Sequence, residues 1–523
     1  MNNNTSIQLL DCTLRDGGYV NNWNFGKTTI ISILASLREA GINLIEVGYL
    51  SRKHPQTQGR TIFFSLQQIN DLIGDDATVQ YAAMINFGEF AVEDLPCYNG
   101  FGVGTLRIAF HKEDFIEALQ YCEQIKRKGY HVFVQPMSTL DYSQQELHNL
   151  LELSNRIGVD AVYIVDSFGF MQQDDVLGLL QTYKTYLDAD VAIGFHSHNN
   201  LQLSFSNSQA FLMHAGNRKS MIDSSVFGMG RGAGNLCTEL MVKYLNENYQ
   251  KKYQLIPILE IIDNHLNSVF IQSPWGYSLP YYAASVHKCH PNYATYLQNK
   301  QTLGVRQLNA ILSRIPQNKR QRFDQQLVEQ LYIEEQNREI NDASTLQYLQ
   351  SRLKARNILL LAPGKTLITQ ADDIHNYISA KQPIVIAVNF TPQHFNTDLV
   401  FLTNPKRVIQ INDFDEDNII ATSNLKNYKW RVNYGALVES GQTESDNATL
   451  MLLRLLAKIG ITQLSIAGFD GFSADLHDNY YDENYINSTI TEIFEERNKN
   501  IRMQLALIRK HINIQFLTPT RYV

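Results

Sequence analysis

The sequence predicts an α/β protein with an N-terminal (β/α)8 TIM barrel, a helical appendage and a C-terminal Rossmann-like α/β domain. Across the first half of the chain, short apolar β-branched runs alternate with longer amphipathic segments, the pattern of βα units around a parallel sheet. Polar and charged residues gather where those runs end, which in a barrel is the C-terminal rim that carries the chemistry. An open doubly wound sheet is the alternative architecture for the same pattern.

The runs are IQLLDCT near residue 7, NLIEVGY near 43, TVQYAAMI near 78, GTLRIAF near 104, HVFVQPM near 131, AVYIVDS near 161, VAIGFHS near 191 and MIDSSVFG near 221. Eight strands close such a barrel, and the span of about 230 residues matches its usual size. At the run ends stand Arg15 and Asp16, Glu46, His111, Gln135, Asp166 and Ser167, His196 and His198, and Asp223. From 255 to 350 the periodicity turns helical and includes a Gln-rich, charged stretch, NKRQRFDQQLVEQLYIEEQNREI. A new β-rich block opens at NILLLAPGKTL and continues through PIVIAVNF, DLVFLTN and KRVIQIN to TQLSIAGFDGF. Its alternation with helical segments predicts the second α/β domain. The expected domains are therefore 1–254, 255–350 and 351–523.

Composition narrows the function classes. The 45 Lys and Arg against 52 Asp and Glu give a formal charge of -7, which argues against a general polyanion binder, so nucleic acid is not an expected partner. The cysteines, Cys12, Cys97, Cys122, Cys237 and Cys289, are scattered and lack CxxC spacing. Neither a disulfide framework nor a zinc ribbon is indicated, and a reduced, cytoplasmic setting fits. The opening MNNNTSIQLLD has no cationic region followed by an apolar one, and no apolar stretch approaches about 18 residues. A soluble, unexported chain with no membrane partner is expected.

The chemistry centres on Asp11-Cys12-Thr13-Leu14-Arg15-Asp16-Gly17 and His196-Ser197-His198-Asn199-Asn200. Residues two apart on a strand face one way, so both imidazoles can project toward one ion, with Asp16 as an oxygen ligand from another strand. One hard oxygen and two nitrogens suit Mn2+, Mg2+, Fe2+, Co2+ or Zn2+ with open positions for a chelating substrate. An HxH alone is equally a polar loop; Asp16 beside Arg15 shifts the balance. Asn235, in the glycine-rich GMGRGAGN, offers the ion an amide oxygen or holds its loop. Arg15 keeps its proton and can hold negative charge developing on an oxygen, or forms a simple ion pair with its neighbour. Glu46 can orient Arg15 by a charge-assisted hydrogen bond, or form a salt bridge inside the barrel.

In order, DCTLRDGG, IEVGY, VDSFG, GFHSHNN and GMGRGAGN resemble the DRE-TIM metallolyase superfamily over residues 7 to 300, and most of all its 4-hydroxy-2-oxovalerate aldolase branch. The resemblance implies that Asp16, His196 and His198 bind the metal, Mn2+ or Mg2+ ahead of Co2+ or Zn2+, with Asn235 as a further ligand. It implies that Arg15 stabilises an enolate, that Ser167 touches the keto-acid carboxylate, and that the chain forms a homo-oligomer. Gln135, at another strand end, is a further substrate-binding candidate. Two departures concern the substrate. Tyr19 stands where those aldolases carry a His four residues after the motif Arg, so Tyr19 or another group must move the proton. LPYYAASVHKCHPNYATYL matches the family's corresponding helix only in part, which makes Tyr282, His287, His290 and Tyr293 candidates for site or packing roles. Barrels with an HPNYA-like segment resemble aldolase-like proteins associated with surface-polysaccharide synthesis.

In the C-terminal block, APGKT follows a strand but lacks P-loop spacing, although its amides could cradle a phosphate. PGKT, VNF and AGFDGF resemble Rossmann-like domains of sialyltransferase-type enzymes, which implies a nucleotide or nucleotide-sugar partner; the alternative is a packing or oligomerisation domain. The expected activity is divalent-metal-dependent making or breaking of a carbon–carbon bond through a pyruvate-type enolate, with a 2-oxo acid and an aldehyde as small-molecule partners. The alternatives are a Claisen-type acyl-CoA reaction and a non-catalytic sugar-nucleotide-binding or scaffold protein.

Overall fold

The computed structural model describes residues 7–54, 57–74, 78–411, 414–439, 442, 444–482 and 494–523. The chain forms two compact units, Met1–Pro291 and Asn292–Val523. In the first, eight parallel strands close a barrel: β1 (Ile7–Asp11), β2 (Leu44–Leu50), β3 (Gln80–Asn86), β4 (Val103–Phe110), β5 (His131–Pro136), β6 (Ala161–Asp166), β7 (Ala192–Ser197) and β8 (Ser220–Ser224). A short strand, Ile62–Phe63, adds beside β2. Closure is made by β1, which pairs with β2 through Leu10 and Leu44 and with β8 from Ile7 opposite Ser220 to Asp11 opposite Ser224. All eight expected barrel strands are present.

Strands in a parallel barrel are covered on both faces, so they read as continuous apolar runs rather than alternations. Every residue of β2 and β4 is buried, including the charged Glu46 and Arg107. The intervening helices bury one stripe each. Helix Gln144–Ile157 starts at a capping box between Ser143 and Glu146, buries Leu147, Leu150, Leu151 and Ser154, and ends at Gly158 with φ +70°. That spacing is one face of a helix, and the left-handed terminal glycine stops it.

Beyond β8, helices Ile256–Ile261, Asn267–Gln272 and Leu279–Val286 complete this unit. Ile258, Ile261 and Leu266 join the barrel's own hydrophobic core, and Gln254 N donates to Ala40 O at 2.9 Å. The helical stretch expected at 255–350 is therefore divided at Pro291.

The second unit carries helices and a parallel sheet of β9 (Ile358–Leu361), β10 (Ile384–Val388), β11 (Leu399–Leu402), β12 (Ile419–Thr422), β13 (Trp430–Val432), β14 (Gln463–Ala467) and β15 (Asn513–Phe516). Their order is β13-β12-β11-β10-β9-β14-β15. Leu360, Ile386 and Phe401 pack on one side, while Leu359, Leu361, Val385 and Val400 pack on the other, the two-faced burial of a doubly wound sheet. One expected strand is corrected: Pro405–Ile411, within NPKRVIQI, is a 3-10 helix. Pro405 has no N–H for a ladder, Asn404 Oδ1 accepts from Lys406 N at 2.9 Å, and Ile409 is 79% exposed. Among the described residues, no helix is long and apolar enough to cross a membrane.

Candidate active site and metal centre

The turn after β1 is tight, with Asp16 N donating to Cys12 O at 2.8 Å, and it turns Arg15 and Asp16 into the rim, both buried. At the end of β7 stand His196 and His198, their ring centres 5.2 Å apart. One ligand atom from each of Asp16, His196 and His198 lies within 4.8 Å of the others, and all three residues are buried. The GMGRGAGN loop folds back so that Asn235 bridges to His198. Its glycines permit this: a Cβ on Gly234, where φ is +83°, would fall 2.1 Å from Gly228 O, and one on Gly230 would fall 2.3 Å from Asn235 Nδ2.

Asp16 Oδ2 and Asn235 Oδ1 are both buried and have no hydrogen-bond partner. Such oxygens are costly unless something coordinates them. His196 Nδ1 meets Asp223 Oδ2 at 2.9 Å, an arrangement that leaves the other ring nitrogen for a cation and fixes the ring. The donor set fits a hard or borderline divalent ion.

A chain of alternating charge runs behind these ligands. Arg15 Nη1 donates to Asp16 Oδ1 at 2.6 Å and Nε to Glu46 Oε2 at 2.8 Å. Arg107 Nη1 donates to the same Glu46 oxygen at 2.8 Å, and Arg107 Nη2 pairs with Asp223 Oδ2. Burial alone raises the Asp16 carboxyl, but Arg15 and the two histidines bring it well below the usual range. Burial raises Asp223 too, but Arg107 and His196 together bring it below its usual value. Burial brings the His198 imidazolium down to about 3, so His198 is a neutral donor.

The remaining sequence-derived candidates divide. Ser167 Oγ accepts from Ser138 N at 2.9 Å, leaving its proton to donate. With its amide oxygen facing Arg107, Gln135 accepts from Nη2 at 3.0 Å and Nε at 3.3 Å, and so supports the buried guanidinium. Tyr19, 37% exposed, places its hydroxyl 3.1 Å from that of Tyr49, and Arg231 lies over its ring at 5.6 Å. His290 packs edge-on to Phe168 at 5.3 Å; burial, with Arg231 and His111 nearby, brings it down to about 3. His287 caps helix Leu279–Val286. Tyr282, 43% exposed, has Tyr277 as its ring neighbour. Tyr293 belongs to the second unit, where its hydroxyl lies within hydrogen-bond distance of two carbonyls, Lys319 O and Arg322 O. Sequence reasoning missed Arg107 and gave Asp223 no role beyond its place at a strand end. The available signal was an arginine in the middle of TLRIAF, a charge that an apolar strand must pair.

A family model described as HMGL-like matches residues 107–263. A 4-hydroxy-2-oxovalerate aldolase of Geobacillus genomosp. 3 is 31% identical over 244 residues, 46% of this chain and 71% of that relative. One of Pseudoalteromonas translucida is 28% identical over 242 residues, 46% and 70% of the two chains. Among solved structures, the N-terminal domain of a candidate aldolase from Bacteroides vulgatus is similar with a TM-score of 0.50 and 29% identity, covering 56% of this chain and 96% of that one.

Proposed function

Because the chain belongs to the HMGL-like family of DRE-TIM metallolyases, we propose that its barrel makes or breaks a carbon–carbon bond through the enolate of a 2-oxo acid such as pyruvate. Asp16, His196, His198 and Asn235 would hold the divalent cation, Mn2+ or Mg2+. The observation that carries this reading is the pair of buried, unpartnered oxygens, Asp16 Oδ2 and Asn235 Oδ1, beside two histidines and a fixed guanidinium. A cation bound there supplies Lewis acidity toward the ketone and carboxylate of the substrate.

Arg15 is held through Nε and Nη1 by Glu46 and Asp16, so its remaining Nη2 is aimed without reorganisation and stabilises the enolate oxygen. Ser167 donates its hydroxyl proton to the keto-acid carboxylate. We assign Tyr19 to the hydroxyl proton of the aldol, which leaves its oxygen as the carbon–carbon bond breaks and returns to it when the bond forms: Tyr19 stands four residues after Arg15, on the rim, and Tyr49 orients its hydroxyl. His290 orients substrate rather than taking up a proton, because an imidazole with a pKa of about 3 is a weak base at neutral pH. The substrate class is a 4-hydroxy-2-oxo acid, by extension from the relatives, and the HPNYA segment supports a sugar-derived aldehyde partner of the kind used in polysaccharide synthesis.

Pyruvate release from 4-hydroxy-2-oxo acids, coupled to NADH oxidation by lactate dehydrogenase, tests this reading. We expect release that requires Mn2+ or Mg2+ and falls by about 10²-fold or more in Arg15→Ala. Release indifferent to chelator and to Arg15→Ala contradicts it.

A further inference from the structure

The second unit contains a cavity of 440 Å³ that the aldolase reading does not use. The strand order places β9 between β10 and β14, so the chain leaves β9 toward one side of the sheet and returns to its other side. Loops diverging at such a point open a crevice beyond the carboxyl ends of the strands, which is where open α/β sheets bind ligands. The cavity lies there: Gly364 after β9, Asn389 after β10, Asn404 after β11 and Gly468 after β14 all line it. Its volume is in the range of small-molecule sites. The floor is backbone, for a Cβ on Gly364 would fall 2.3 Å from Gly468 O.

The chemistry of the lining selects the ligand. Its three cations are already engaged: Lys300 Nζ meets Glu329 Oε2 at 2.9 Å and Asp446 Oδ1 at 3.9 Å, Arg497 makes two bonds to Glu444 at 3.0 and 3.1 Å, and Arg407, 9% exposed, is not free either. The Thr366 amide, which a phosphate on the APGKT loop would need, donates to Asp470 Oδ2 at 2.8 Å. Most of what remains for a ligand is carboxamide. Among the described residues, the lining side chains of Asn299, Gln301, Gln325 and Asn500 make no hydrogen bond, and each can donate and accept at once. The aromatic Tyr480 and Tyr522 lie in the same wall. Paired donors and acceptors next to aromatic rings, with no surplus cation, match a hydroxyl-rich group rather than a polyphosphate.

We propose that this cavity is a second ligand site, which binds a glycosyl group through the carboxamides of Asn299, Gln301, Gln325 and Asn500. The sugar is presented either free or on a nucleotide, and the proposal stands independently of the barrel's chemistry. Isothermal titration of the full chain with UDP-N-acetylglucosamine and GDP-mannose, with UDP and GDP, and with N-acetylglucosamine and mannose tests it. We expect a sugar-bearing probe to bind, and to bind about tenfold or more weakly in Gln325→Ala and in Asn500→Trp, which fills the cavity; circular dichroism and the ligand-free melting temperature check that each variant folds. Binding of the nucleotide sugar without the free sugar identifies a nucleotide-linked source, and binding of the free sugar a free one. The proposal is overturned if no sugar-bearing probe binds, if the nucleotides alone bind as tightly as their sugar conjugates, or if folded variants bind like the parent.

Discussion

Asp223 touches no substrate in this account, yet the account makes a sharp claim about it. It holds the Nδ1 side of His196 and shares Arg107 with Glu46, so it fixes a ligand ring and its orientation. Removing such a support costs about 10- to 100-fold in metal affinity. Asp223→Asn should therefore weaken Mn2+ binding by that factor, read by titration of free Mn2+ by electron paramagnetic resonance, while Asp16→Asn abolishes it. Unchanged Mn2+ affinity in both variants would falsify the ligand assignment. Tyr19→Phe should lower aldol turnover by about 10²-fold, the scale of a lost general acid or base, against a small effect of His290→Gln. The reverse order of effects would transfer the proton-handling role to His290. The proposed ligands were legible in the sequence because Asp16, His196 and His198 end apolar runs, and the structure brings the three together. Their supports were not, because Arg107 and Asp223 acquire meaning only when β4 and β8 face each other across the barrel interior.

At the scale of elements, β2 and β4 each bring one charge into the interior, and the stability of both depends on pairing. Arg107 is fully buried between Glu46 and Asp223. Arg107→Met leaves two buried carboxylates facing each other, and breaking such a pair from one side costs about 3–5 kcal/mol; urea denaturation should show a loss of that size. A much smaller loss would mean the interior admits water. The segment ending in His290 gives the pH dependence. Its folded-state pKa is about 3 against an ordinary 6.5, so between those values the unfolded chain binds a proton that the folded chain refuses. This contribution to stability is present above pH 6.5 and is lost as the pH falls toward 3. His290→Gln should flatten that part of the melting-temperature profile, and an unchanged slope would place the imidazole in water. The eight barrel strands were readable because strands buried on both faces are continuously apolar. Pro405–Ile411 misled because its apolar residues suit a strand while its proline and the Asn404 cap start a 3-10 turn.

For the whole molecule, the boundary at Pro291 was hidden because periodicity shows that a segment is helical and amphipathic without showing which core receives its apolar face. Ile258, Ile261 and Leu266 pack into the barrel core, whereas Leu349 and Leu353 pack with the second sheet. Two units with cores of their own should give two calorimetric transitions. Mn2+ at a hundred times its dissociation constant should stabilise the barrel transition alone, by about 2.7 kcal/mol. A shift of both transitions, or of neither, contradicts a metal site confined to the barrel. The central claim is narrower still: the rim between β1 and β7 enolises a 2-oxo acid. Exchange of the pyruvate methyl protons in D2O, followed by proton NMR, isolates that step without any aldehyde. The account predicts exchange that requires Mn2+ or Mg2+, stops with chelator and is lost in Arg15→Ala; no exchange by the metal-loaded protein, or exchange that survives Arg15→Ala, would contradict it.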